Sequence, residues 1–191
     1  TGDELHANLM LCSYYGDKVL CVDRYWTDNS IESSYARGRP FPMFRGATAK
    51  PILANLPPYQ LRNLMLWHAA EIREAGLGDD WDAFRANLKR LRTAGVCVSH
   101  GEVDRGLMGI GAAIFSGEQK VVGSLVFIAS EAHTSAARLD ILQARIQVAA
   151  AEVSQNLQSP QSNGAAAIGI MPSRPRRIRA PAGAAPARPK A

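Results

Sequence analysis

Two neighbouring runs, GLMGIGAAIFS (residues 106–116) and VVGSLVFIAS (121–130), hold almost nothing but apolar and small residues, and Gly117-Glu118-Gln119-Lys120 joins them. Runs of that length without charge read as paired strands at the centre of a sheet that is covered on both faces. Their small residues add a second demand. Gly106, Gly109 and Gly111, with Ala112 and Ala113, weaken a strand unless a ligand or another backbone approaches it closely.

The remaining segments supply the cover. Residues 6–26 alternate like two strands, ANLMLCSYY and VLCVDRYW, around Gly16-Asp17-Lys18, and predict a hairpin. Residues 27–41 are polar and rich in Ser, Gly and Pro, and read as an irregular connection. A short helix is expected over residues 48–55. Pro58 suits the first position of a longer helix that Gly76 and Gly78 end. Asp79 or Asp80 caps a third helix with Trp81, Phe84, Leu88 and Leu91 on one face, stopped by Gly95. VCVSHGEV then leads into the two apolar runs. Thr134 or Ser135 opens a last helix carrying Leu139, Leu142, Ile146, Ala149, Val153 and Leu157 on one stripe. Its plain role is core packing, and a subunit interface is the alternative. Two strands, three helices, three strands and one helix make an α+β fold, an antiparallel sheet with helices packed around it.

The chemistry concentrates in PMFRGATAKPILANLP, residues 42–57. A turn of small residues (Gly46, Ala47, Thr48, Ala49) enters a helix whose first N–H groups and positive dipole end suit an anionic group. Thr48 and Lys50 are the polar side chains beside it, too few for a catalytic centre, so a binding pocket is expected.

Composition narrows the function. The chain carries +5 over 191 residues, but Arg174, Arg176, Arg177, Arg179, Arg188 and Lys190 lie after Gln158 with no acid among them. Subtracting those six leaves residues 1–157 at −1, without the basic stripe that nucleic-acid binding by the folded part would need. Two regions are expected: a domain over 1–157 and a disordered Pro/Ala/Arg-rich tail over 158–191. The tail reads as a solvated extension, with weak salt-sensitive attraction to nucleic acid as the alternative. Cys12, Cys21 and Cys97 form no C-x-x-C pair and have no His at ligand spacing, which reads as inert core thiols in a reducing cytoplasm. No apolar run reaches the ~18 residues of a membrane span. The polar opening TGDELHANL, without an initiator Met, points to a piece of a longer protein with no signal peptide.

Three segments together resemble the effector-binding domain of the IclR family of bacterial transcription regulators, over about residues 5–157. VLCVDRY is similar to the family's strand ending in Val-Asp-Arg. PMFRGATAKPILANLP resembles its Pro-Leu-His, small-residue turn and Gly-Lys-Ala-hydrophobic-Leu-Ala helix. LRTAGVCVSHGEVDRGLMGIGAAIF, followed by VVGSLVFIA, resembles Ile-Arg-x-x-Gly-Tyr-Ala, x-x-x-Glu-x-x-x-Gly, hydrophobic-Ala-Ala-Pro and its hairpin partner. The resemblance implies a GAF-like fold, a small organic acid as effector, a homodimer or tetramer, no cofactor, and DNA contact only through a winged helix-turn-helix domain absent from this sequence. It also implies that the effector's carboxylate meets the backbone N–H groups of Ala47 and Thr48. Phe44, Gly46, Ser99, Gly109, Val126 and Ile128 complete the implied ligand-binding set.

Several of these positions depart from the family. Phe44 stands for a frequent His, Ala49 for Gly and Pro51 for Ala, Gly109 lies where Cys occurs, and Val126 and Ile128 lie where some members have Ser. Fewer polar partners disfavour a small keto acid, since each unmet buried partner costs about 1–3 kcal/mol. With the room added at Gly109, a larger, more apolar or aromatic acid is expected. His6, His68, His100 and His133 are scattered, without metal-ligand spacing, and Glu102 reads as a salt bridge or helix-end contact. Ser99, His100 and Asp104 do not make a nucleophile–base set, because neighbouring strand residues point to opposite faces. An enzyme on the same frame and a structural dimerisation module are the rival readings.

Overall fold

In the computed structural model, which describes residues 7–15, 18–29, 31, 34 and 37–158, the two apolar runs pair inside a six-stranded sheet, neither at its edge. The strands are β1 (Asn8–Tyr15), β2 (Lys18–Tyr25), β3 (Pro40–Phe41), β4 (Cys97–His100), β5 (Leu107–Phe115) and β6 (Val121–Ser130). Their order is β3-β2-β1-β6-β5-β4, antiparallel throughout. Four helices cover the sheet: α1 (Gly46–Ala54), α2 (Pro58–Glu74), α3 (Trp81–Ala94) and α4 (Ala136–Gln158), the last preceded by a 3₁₀ turn, Glu131–His133. The fold is α+β, as expected.

Each face has its own core. Met10, Cys12, Val19, Val126 and Ile128 meet α1 together with Phe84 and Leu88 of α3. On the other face Ile110, Ala112, Leu125 and Phe127 pack against Leu142 and Ile146 of α4. Burial of each large side chain contributes about 1.5–3 kcal/mol, so alternation of side chains across β1, β5 and β6 fixes which residue faces which helix layer. α1 lies wholly inside, every one of its nine residues buried. α3 begins where Asp80 Oδ1 accepts the Ala83 N–H at 2.8 Å, and left-handed Gly95 ends it.

Three differences from expectation have local causes. β3 falls inside the segment read as irregular; it is two residues long and opens with Pro, which gives no periodic signal. α1 starts at Gly46, two residues early, because Arg45 stays extended and Gly46 takes φ +79°, a conformation that favours glycine. On α4 the fully buried positions are Leu142, Ile146, Ala150 and Ser154, while Leu157 is 54% exposed. Ser154 enters the core because its Oγ donates to the Ala150 carbonyl and accepts the Phe115 N–H. The Gly16-Asp17 turn, His6 and the basic tail lie outside the described residues. Among the described residues no helix is long and apolar enough to cross a membrane.

Candidate functional site

The start of α1 is pressed onto β5. Pro51 has no N–H, so the Ala47 carbonyl lacks its usual helical donor, and that carbonyl points at the sheet. A Cβ on Gly111 would lie 2.2 Å from the Ala47 oxygen, and one on Gly109 would lie 3.1 Å from the Ala47 Cβ and 2.8 Å from Ser99 Oγ. The glycines therefore accommodate a helix backbone. This corrects the expectation that Gly109 adds room for a ligand: Ala47 and Ser99 fill that room.

The helix-start N–H groups are met by the protein's own side chains. Gly46 N–H donates to Glu102 Oε2 at 2.9 Å, and Ala47 N–H donates to Ser99 Oγ at 3.0 Å. Lys50 Nζ reaches both Glu102 oxygens, at 2.6 and 2.7 Å. A buried ammonium costs free energy unless paired, and Glu102, on the loop between β4 and β5, provides the pairing. The reading of Glu102 as a salt bridge and helix-end contact agrees with this geometry. Deeper in, Ser124 Oγ donates to the Thr48 carbonyl at 2.6 Å, whereas Thr48 Oγ1 is fully buried with no hydrogen-bond partner among the described residues.

The implied ligand-binding residues come together. Ser99, Gly109 and Ile128 form one row across β4, β5 and β6, and Gly111 and Val126 stand in a nearby row under α1. Phe44, Ala47, Thr48, Ser99, Val126 and Ile128 are all buried. Phe44 lies at the edge, its ring 5.6 Å from His68 of α2. Open volume begins beside this cluster, in a cleft of about 370 Å³ lined by Lys50, Leu77, Arg90, Leu91, Cys97 and Val98. Lys50 and Glu102 were noted beside the helix start but not counted among the ligand-binding residues, and Ser124 was missed. Lys50 carried a signal, as the one charge in an apolar helix that has to be paired where it is buried.

Elsewhere the side chains read as packing. Ser99 is buried and His100 exposed, 3.5 Å from Glu131, so the two face opposite ways. His68 holds Glu71 on its own helix. The three thiols are free and buried. Burial pushes Cys12 and Cys21 above the ordinary thiol range and Cys97 up to about 11, which makes them poor nucleophiles at neutral pH. No group of three or more His, Cys, Asp or Glu among the described residues could hold a metal ion.

Sheet, covering helices and buried helix start define an α+β domain of the type found in bacterial transcription regulators. The chain belongs to the IclR family: residues 2–155 match the family described as "Bacterial transcriptional regulator IclR C-terminal". It is similar to the HTH-type transcriptional regulator KipR of Bacillus subtilis, 25% identical over 144 residues, covering 74% of this chain and 57% of KipR. The HTH-type transcriptional regulator Rv1719 of Mycobacterium tuberculosis is 29% identical over 111 residues, covering 58% of this chain and 42% of that protein. The chain thus spans about half the length of these curated relatives. The crystal structure of Thermotoga maritima IclR shares the fold, with TM-score 0.73 at 18% identity over 82% of this chain and 63% of that one.

Proposed function

We propose that this domain senses a small organic acid in the cytoplasm, as a homodimer or tetramer, and adjusts DNA binding by a separate domain. The observation that carries the reading is the carboxylate already held at the start of α1. Gly46 N–H and the Lys50 ammonium converge on Glu102, with the unpartnered Thr48 hydroxyl buried in the same turn. An effector acid takes the N–H groups of Ala47 and Thr48 once Ser99 and Glu102 give way; Ser99 moving off Gly109 opens room there, and Phe44, Gly46, Val126 and Ile128 surround the rest of its body. These walls offer few polar partners, which favours an apolar or aromatic acid over a short keto acid. Nothing in the site supplies a nucleophile with a base, so binding without turnover is the expected chemistry.

Titration calorimetry with benzoate, phenylacetate, glyoxylate and pyruvate tests this. Saturable binding of the aromatic acids without product supports the sensor. Tighter binding of glyoxylate or pyruvate overturns the aromatic preference, product formation supports an enzyme, and no binding supports a structural module. Glu102→Gln weakens the internal competitor, and benzoate affinity is expected to rise roughly tenfold, since each charged hydrogen bond contributes about 1.5–3 kcal/mol. Unchanged affinity in E102Q sinks the displacement step.

A further inference from the structure

α2 presents an apolar face that none of the described residues covers. Its exposed positions include Tyr59, Arg62, Asn63, Leu66 and Trp67 before the break in helical geometry at His68, and Ala70, Glu71, Arg73 and Glu74 after it. Tyr59 is 64%, Leu66 72% and Trp67 78% exposed. Inside the domain α2 buries only Leu61 and Ile72 fully. Large exposed aromatic and aliphatic groups in a row mark an interaction surface, and Trp, Tyr and Arg are the residue types that dominate interface energies.

The order of charges along this face selects the partner. In an antiparallel pair of identical helices related by a two-fold axis, residue i faces j and j faces i. With the axis between Leu66 and Trp67, Leu66 meets Trp67 of the other copy and Asn63 meets Ala70. Arg62 meets Glu71, Gln60 meets Arg73, and Tyr59 meets Glu74. No position in that register faces a like charge. Shifting the axis onto Leu66 sets Arg62 against Ala70 and Tyr59 against Arg73, and loses the charge pairs. Within one copy Arg62 and Glu71 are nine residues apart on either side of the break at His68, and each engages another group. Arg62 lies over the Trp81 ring at 4.6 Å, and Glu71 uses one oxygen on His68 at 2.7 Å, its side chain still 62% exposed.

We infer that α2 is a self-complementary docking face for a second copy of this chain, with Leu66 and Trp67 at its centre and Arg62–Glu71 pairs on both sides. The inference rests on the oligomer part of the proposed function and names its surface. Sedimentation of the chain is the test, because Trp67 is exposed and Trp67→Glu leaves the fold intact, which an unchanged melting curve confirms. W67E is expected to raise the dissociation constant of one assembly step at least about 30-fold, as loss of a central anchor does. R62E is expected to weaken it roughly tenfold by placing like charges opposite each other. The double variant R62E/E71R restores the pair with signs reversed and returns the constant to near that of the parent. An assembly indifferent to W67E, or a double variant no better than R62E, overturns the inference. A chain that stays monomeric at sub-millimolar concentration overturns it too, while calorimetry with benzoate still decides the sensor reading separately.

Discussion

At the level of single residues the contact between Ala47 and β5 is the most constrained point in the molecule. Gly111→Ala puts a methyl group onto the Ala47 carbonyl, 2.2 Å away where no flexible side chain can yield. Overpacking of this kind costs about 1–3 kcal/mol, and a lower urea midpoint at an unchanged slope is expected. A neutral G111A would show that α1 moves freely over the sheet. The thinned strand was legible in the sequence, since Gly109 and Gly111 demand a close neighbour. Whether that neighbour is ligand or backbone was not, because it depends on the carbonyl that Pro51 leaves without a donor. Cys97 gives a second test. Desolvation by burial, with nearby Glu102 adding to it and Lys50 opposing, holds its thiol up to about 11 against an ordinary value of 9.0. The unfolded thiol ionises first as pH rises, so its contribution is whole below the ordinary value and is lost as pH climbs through the folded one. The stability gap between the parent and Cys97→Ala should therefore shrink above the ordinary thiol value by about 1.4 kcal/mol per pH unit until it levels off. A pH-independent gap would contradict the buried, neutral thiol.

At the level of elements the sequence spoke most clearly where local chemistry and periodicity agreed. α3 was legible because Asp80 caps it, Gly95 ends it and Phe84 and Leu88 recur at helical spacing. The β5–β6 pair was legible for want of any charge. β3 was not, since two residues have no period, and its pairing with Val19 and Leu20 is decided by the turn of the whole chain. α4 is instructive: apolar periodicity found Leu142 and Ile146, but the stripe then passes through Ala150 and Ser154 and leaves Leu157 outside. A serine on a core face looks like an error until its bond to the Phe115 N–H at 3.0 Å is seen, a bond that ties α4 to the end of β5. Ser154→Ala strands that N–H under the helix and is expected to cost about 1–3 kcal/mol. Serine-to-alanine changes at exposed positions on α4 should cost almost nothing. Equal small effects at both would mean that Phe115 N–H finds water instead.

At the level of the whole molecule the two proposed surfaces share one element. α2 touches the segment leading into α1 twice, through the Phe44 ring against His68 and through Arg45 Nη2, 3.5 Å from Glu74. His68 is also where α2 leaves helical geometry, at φ −130° and ψ 27°, one residue past Trp67. An acid seated beside Phe44 and a second copy seated on Trp67 therefore act on the same break in the same helix. A ligand shifts an assembly only by its differential affinity for the two states, and the coupling is reciprocal: whatever factor benzoate applies to assembly, assembly applies to benzoate. Benzoate titrations run well below and well above the assembly's dissociation constant are expected to differ by roughly fivefold or more in affinity, the lower end of common coupling factors. In W67E the two titrations should coincide at the value of the dissociated chain. In His68→Ala the assembly should persist while the difference between the titrations narrows, because the ring that joins Phe44 to the break is gone. Parent titrations that coincide would mean that the acid site and α2 are energetically independent, and a domain with that property could bind an effector without reporting it through this face.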